Sequence, residues 1–263
     1  MRTQLTERPT DPLLQEAAAS VRMHPAILHD LLRLGPWTKA QFAEEVQSEG
    51  WLERLWRGIA QRHAEKPAMQ FGPRSMRALS DEQALALVAP SLRTLHAQYD
   101  GEESVLMLGP TGIGKSLAAM LLGRKVLRER TIANIVKEKP DATRFIGNDH
   151  YSPSVQWVDA IGLSVSAARH PLGEGPSPEL KEAKGAYLLV VDDVAWGERD
   201  VAITELIASR YDNGVPTIFT CGLSRQALVD RFGDALVRRM LQRGGRKGIL
   251  VDLFEQKKVR AVR

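Results

Sequence analysis

Apolar positions follow two different periods along the chain, and the period changes near residue 104. Before it, Leu13, Leu14 and Ala17, then Ile27, Leu31 and Leu32, then Phe42, Val46, Trp51, Leu55 and Ile59 recur at helical spacing, with breaks at Pro25 and at Gly35-Pro36. That spacing predicts helices sharing one buried side, a small bundle. Residues 66–81, KPAMQFGPRSMRALSD, carry two prolines, a glycine and little periodicity. They predict a connector, ended by a helix that starts near Ser80 or Asp81. The expected domains are therefore a helical one over 1–80 and a second one over 81–263. In the second, SVLMLG (104–109), SVQWVD (154–159), YLLVVDD (187–193) and PTIFTC (216–221) alternate with helix-compatible stretches, and Leu253-Phe254 gives a further strand signal. Apolar runs without polar alternation suit strands buried on both faces, which means a parallel sheet with helical crossovers and an α/β fold. The stretch from Pro140 to Pro153 reads as a long surface insertion.

Composition narrows the class. The chain has 263 residues, 43% of them hydrophobic and 26% charged, which excludes disorder and fibres. No stretch approaches the roughly 20 apolar residues that span a bilayer, and the first residues lack the apolar run of a signal peptide, so a cytoplasmic protein with no membrane partner is expected. Cys221 stands alone, which excludes a disulfide framework and a cysteine-rich zinc site, and the six histidines show no ligand spacing. Trp37, Trp51 and Trp56 fall in the bundle and are expected to fill its core, with a partner-docking face as the alternative. Charge adds a direction: the net is +4, and residues 231–263 hold ten Lys and Arg against three Asp and Glu. An anionic partner is plausible on that ground, and Arg124, Lys125, Arg128 and Arg130 on the helix after residue 115, with Arg243, Arg246, Lys247, Lys257, Lys258, Arg260 and Arg263, are candidate contacts to a phosphate backbone. The same clusters also fit plain solvated faces.

The sharpest local signal is Gly109-Pro110-Thr111-Gly112-Ile113-Gly114-Lys115-Ser116. It fits GxxxxGK[ST], and an apolar strand precedes it while a helix-forming run, Leu117 to Arg130, follows. Gly112 and Gly114 let backbone N–H groups converge on phosphate oxygens, and a helix starting near Lys115 aims its positive end at them. Lys115 then neutralises the β- and γ-phosphates of ATP, and the Ser116 hydroxyl takes a Mg²⁺ position. A second acidic source is needed for the metal and for water activation. The strand ending in Asp192-Asp193 supplies it, with Asp192 on Mg²⁺ and Asp193 orienting or deprotonating the attacking water. Those two acids also fit a strand that simply ends in a solvated pair.

Beyond these residues the chain resembles the AAA+ ATPases of the DnaC-type helicase loaders and the IstB-type transposition helpers, over about residues 85–255. The resemblance is carried by Arg210-Tyr211, by Pro216-Thr217-Ile218 and Thr220, by Leu223-Ser224, by Arg231-Phe232-Gly233 and by Arg239-Met240. It implies a P-loop NTPase sheet sandwiched by helices, with no C-terminal lid. It also implies a homo-oligomeric ring or spiral in which Arg239, or the adjacent Arg238, reaches the neighbour's nucleotide as an arginine finger. Partners implied are single- or double-stranded DNA and, through the N-terminal domain, a replicative helicase or a transposase. A weakly hydrolysing, nucleotide-switched adaptor is the rival from another class. The resemblance is imperfect at residue 221, where the family often carries Asn or Ser. Cys221 is a weak donor, so either Thr220 takes the sensing role at the end of its strand or hydrolysis is slow.

Overall fold

The computed structural model describes residues 12–20, 28–29, 32–33, 37–46, 48, 50–138, 151–171, 173–194, 201–243 and 245–254. They form two compact units. The first is drawn from Met1–Pro67 and Arg128–Ser152, the second from Ala68–Leu127 and Pro153–Arg263.

In the first unit, helices α1 (Pro12–Ser20) and α2 (Lys39–Val46) and most of α3 (Trp51–Gln70) enclose a core of Leu14, Ala17, Leu28, Phe42, Val46, Trp56 and Ile59. Trp56 is buried, while Trp37 and Trp51 pack against the same core, as expected of space-filling aromatics. Trp37 lies so close to Gly58 that a Cβ there would meet its ring at 2.7 Å, so the glycine is what admits the indole. Two differences from the pattern-based expectation have clear causes. Helix α3 runs on to Gln70 through Pro67; the proline gives up one N–H bond to the carbonyl four residues back, and only three helical residues follow it. Residues 128–138 and 151–152 belong to this unit because Ile135 and Tyr151 are buried in its core and Ile132 and Val136 pack on it. Most of the expected insertion, residues 140–150, lies outside the described residues.

The second unit is a five-stranded, wholly parallel sheet in the order β2-β3-β4-β1-β7, made of β1 (Val105–Leu108), β2 (Val155–Asp159), β3 (Leu188–Asp192), β4 (Thr217–Cys221) and β7 (Ile249–Asp252). The fifth strand is Ile249–Asp252, so the Leu253-Phe254 signal marks the end of a strand and not its body. A two-residue-per-arm hairpin, β5 (Gln242–Arg243) with β6 (Arg246–Lys247), precedes it. Helices lie on both faces. Side chains alternate along each strand, and this divides the interior in two. Val105, Met107, Leu188, Val190 and Ile218 face a core shared with α4 (Asp81–Leu87), α5 (Pro90–Gln98) and α6 (Lys115–Glu138). Leu106, Leu108, Leu189, Val191, Phe219 and Cys221 face the other, shared with α7 (Ala160–Arg169), α8 (Pro178–Gly185), α9 (Val201–Asp212), α10 (Arg225–Phe232) and α11 (Asp234–Met240). Helix α4 begins where the sequence predicts it, with Ser80 as N-cap and Gln83 closing a capping box.

The fold is therefore the expected α/β type, a parallel sheet sandwiched by helices. From β1 the chain crosses to β2 at one edge, and from β4 it crosses to β7 at the other. Such a reversal opens a crevice beyond the carboxyl ends of the strands, which is where ligands bind in open α/β sheets. Among the described residues no helix is long and apolar enough to cross a membrane.

Candidate nucleotide site

The loop from Gly109 to Gly114 leaves the end of β1 in this crevice. Gly112 and Gly114 have φ of +85° and +91°, a left-handed backbone that residues with a Cβ avoid, so the glycines are needed to turn the loop. A Cβ on Gly112 would meet nothing, whereas one on Gly114 would press on Val88 at 3.1 Å. Val88 sits between α4 and α5, and the guanidinium of Arg93 holds that segment by donating to the Val88 carbonyl at 3.1 Å and to the Ala86 carbonyl at 3.0 Å. Sequence reasoning missed this support. A contact between a pre-sheet helix junction and a glycine loop has no local signature.

Helix α6 starts at Lys115, so its N-terminal N–H groups face the loop. The Lys115 ammonium donates to the carbonyls of Gly109 at 2.8 Å and Pro110 at 3.0 Å. Burial lowers its pKa, opposed by the nearby charges of Asp193 and Asp192. A buried cation beside a glycine-rich loop and a helix N-terminus suits an anionic phosphate chain.

The carboxylate at the end of β3 then joins the start of α6 to the end of β4. Ser116 Oγ donates to Asp192 Oδ1 at 2.7 Å, and Thr220 Oγ1 donates to the same oxygen at 2.5 Å. The Thr220 hydroxyl in turn accepts the Asp193 N–H at 2.9 Å. A hydroxyl and a carboxylate held this close fit a cation that takes few protein ligands and keeps its remaining positions for phosphate and water, as Mg²⁺ does. The donor set agrees with that ion: Ser116 and Asp192 are oxygen ligands, and among the described residues no group of three or more His, Cys, Asp or Glu gathers as a zinc-type site would require.

Asp193 sits at φ +56°, a left-handed conformation for a residue with a Cβ, and its side chain is exposed at the crevice. Partial burial of its carboxyl and repulsion by Asp192 raise its pKa, with Lys115 opposing. Cys221 behaves differently from its neighbour Thr220. Alternation turns it to the opposite face of the sheet, where it is fully buried and its sulfur accepts the Leu223 N–H at 3.3 Å. Burial pushes its thiol up to about 11.

The two arginines of the 208–240 stretch have opposite surroundings. Arg210 is buried and donates to Thr217 Oγ1 at 2.6 Å, to the carbonyls of Ala183 and Ala186 at 2.9 Å each and to that of Pro216 at 2.5 Å. Desolvation lowers its pKa to about 10. It ties α8 and the start of β4 together and is a structural residue. Arg239 is exposed, with its guanidinium carbon 5.5 Å from the centre of the Tyr211 ring. Among the described residues no carboxylate pairs with it. Arg238 beside it is held by Asp234 at 3.0 Å, one helical turn back. The site therefore brings together Gly109–Ser116, Asp192, Asp193 and Thr220, and among the described residues none of these hydrogen-bonds Arg239.

Comparison with known proteins places this arrangement in context. The chain is similar to the DnaC helicase loader, with 21% identity over 71% of this chain and 99% of that one and a TM-score of 0.41. It is similar to DnaI with 15% identity over 71% and 93% of the two chains and a TM-score of 0.41. To AMPPCP-bound DnaA from Aquifex aeolicus the identity is 18%, over 65% of this chain and 49% of that one, with a TM-score of 0.41. No protein-family model and no curated protein sequence matches the chain.

Proposed function

We propose that the protein is a DNA-associated ATPase that binds Mg·ATP at the carboxyl end of its sheet and uses it to deliver a partner protein to DNA, most specifically a replicative helicase. The observation that carries the nucleotide part is the convergence of Ser116 and Thr220 on one oxygen of Asp192 beside Lys115. The loop glycines and the α6 N-terminus hold the phosphates, and Lys115 exchanges its carbonyl partners for the β- and γ-phosphate oxygens. Ser116 and Asp192 hold Mg²⁺, which when bound offsets charge on the transferring phosphoryl group. Asp193 accepts the proton of the attacking water, and its raised pKa makes it a better base than an ordinary aspartate. Thr220 fixes the geometry of both acids at once, accepting from one backbone and donating to the other side chain.

The same geometry favours slow turnover. The Thr220 proton is committed to Asp192 and the Cys221 thiol faces away, so β4 presents no spare donor to the γ-phosphate. A switch that holds ATP for long periods is suited to an assembly factor. The helicase partner is supported by the residues shared with the loader group, from Arg210-Tyr211 to Arg239-Met240, and those residues also fit a transposition helper.

Lys115→Ala tests the site: ATP affinity measured by titration calorimetry should fall by at least about a hundredfold, since a buried charge-assisted contact of this kind is worth about 3 kcal/mol. Unchanged affinity overturns the nucleotide site. Turnover measured with and without DNA then tests the partner, and equal rates in both would remove DNA from the cycle.

A further inference from the structure

The cations of the C-terminal part sort into those the fold consumes and those it leaves outside. Hairpin β5–β6 shows both on adjacent residues. Arg243 on its first arm donates to the carbonyls of Gly214 and Glu102 and pairs with the Glu102 carboxylate at 2.8 Å, so it anchors the base of the hairpin. Gly248, at the other end, is held as firmly: its N–H donates to the Leu241 carbonyl at 2.5 Å, and a Cβ there would meet the Ser104 carbonyl at 2.4 Å. Between these anchors Arg246 and Lys247 are exposed, and among the described residues neither has an acidic partner.

Arg246 lies directly opposite Arg243 across the hairpin, and Arg243 is already occupied by Glu102, so the facing position offers Arg246 no counter-charge. A two-residue arm turns consecutive side chains to opposite sides, so Arg246 and Lys247 cannot converge on a single compact anion. They suit a repeating one, in which successive phosphates lie along a line, and Gly245 beside them, at φ +84°, presents no side chain to an approaching backbone.

We propose that the β5–β6 hairpin is a nucleic-acid contact, with Arg246 and Lys247 each neutralising a backbone phosphate of DNA. This rests on the DNA partner proposed above and names the surface that meets it. Helix α6 is not that surface, because Arg124 is buried, Lys125 donates to the carbonyls of His96 and Ala97, and Arg128 pairs with Glu65.

The test is fluorescence anisotropy with a labelled oligo-dT and with a labelled duplex, using the full chain with ATP. For Arg246→Ala/Lys247→Ala, affinity for the preferred form should fall about tenfold at 0.1 M salt. The slope of log affinity against log salt should shrink by about 1.4 on the single strand or about 1.8 on the duplex, two phosphates in either case. Arg246→Glu/Lys247→Glu should weaken it further, while a charge-matched control on other exposed cations, Arg57→Glu/Arg74→Glu, should change it less than about threefold. ATP affinity and the circular-dichroism melting curve of each variant establish that it is folded. Parent-like affinity and slope in the hairpin variants overturn the assignment and leave the DNA partner standing. No DNA binding by the parent protein overturns both. Loss of self-assembly on a sizing column with DNA affinity retained overturns it in favour of a contact to a second copy of the chain.

Discussion

Helix α6 and the C-terminal segment from α11 to β6 carry similar clusters of basic residues, and the fold treats them in opposite ways. On α6, Arg124 is fully buried and reaches the Leu79 carbonyl at 2.9 Å and the Asp81 carboxylate at 3.0 Å, Lys125 caps the end of α5, and Arg128 makes a two-pronged pair with Glu65. On the C-terminal segment, Arg239 rests on an aromatic face and Arg246 and Lys247 extend into solvent. A cation spent on carbonyls stabilises the chain and is lost to any ligand. A cation left outside adds little stability and remains available. Charge clusters are therefore informative about partners only after each guanidinium and ammonium has been traced to what it touches.

The comparison can be broken by truncation, and the largest effect belongs to the most deeply used arginine. Arg210→Ala removes a buried side chain and orphans the carbonyls of Ala183, Ala186 and Pro216, so a loss of about 3–5 kcal/mol is expected by urea denaturation. Arg124→Ala comes next at about 2–4 kcal/mol, less because its Nε already lacks a partner and its remaining contacts to Met69 and Arg77 are long, at 3.5 and 3.4 Å. If either variant melts with the parent, these cations are not structural.

Asp193→Asn should act in the other direction and more weakly. The folded-state pKa of Asp193 is raised, so its charged form costs stability at any pH above that value, and the cost disappears as pH falls through it. The variant should melt slightly higher than the parent near pH 8 and lose the advantage in acid, while asparagine tolerates the left-handed backbone. Its ATP turnover should drop at least about a hundredfold with ATP binding retained. In the parent, activity should decline in acid at a pH above the ordinary aspartate value of about 3.9. A melting advantage that grows in acid would contradict the assigned shift.

The smallest stability effect is expected at Arg239→Ala, within about 0.5 kcal/mol, because the side chain is exposed. If it acts across a subunit boundary, mixing this variant with Lys115→Ala should restore ATPase activity at intermediate ratios, since a mixed interface pairs a sound loop with a sound finger. No recovery at any ratio, with co-assembly established by sizing, would mean that the arginine has no role in a neighbouring site.

What the sequence determined alone lies mainly in short segments, where chain neighbours dictate the conformation. Gly109 to Ser116 could be read because two left-handed glycines and a helix start are properties of consecutive residues, and Ser80 with Gln83 announced the start of α4 for the same reason. The apolar runs that became β1 to β4 were legible because a strand buried on both faces needs no partner to be recognised. Tertiary structure decided the rest. Nothing local assigns residues 128–138 and 151–152 to the first unit, since only the packing of Ile135 and Tyr151 puts them there. The alternatives at Thr220 and Cys221 differ by one residue, and the pleat of a sheet whose neighbours come from distant parts of the chain sends the first to Asp192 and the second into the opposite core. Arg124 and Arg246 are the same residue type in equally basic sequence. Burial against carbonyls that the chain delivers from far away made one of them part of the fold and left the other on its surface.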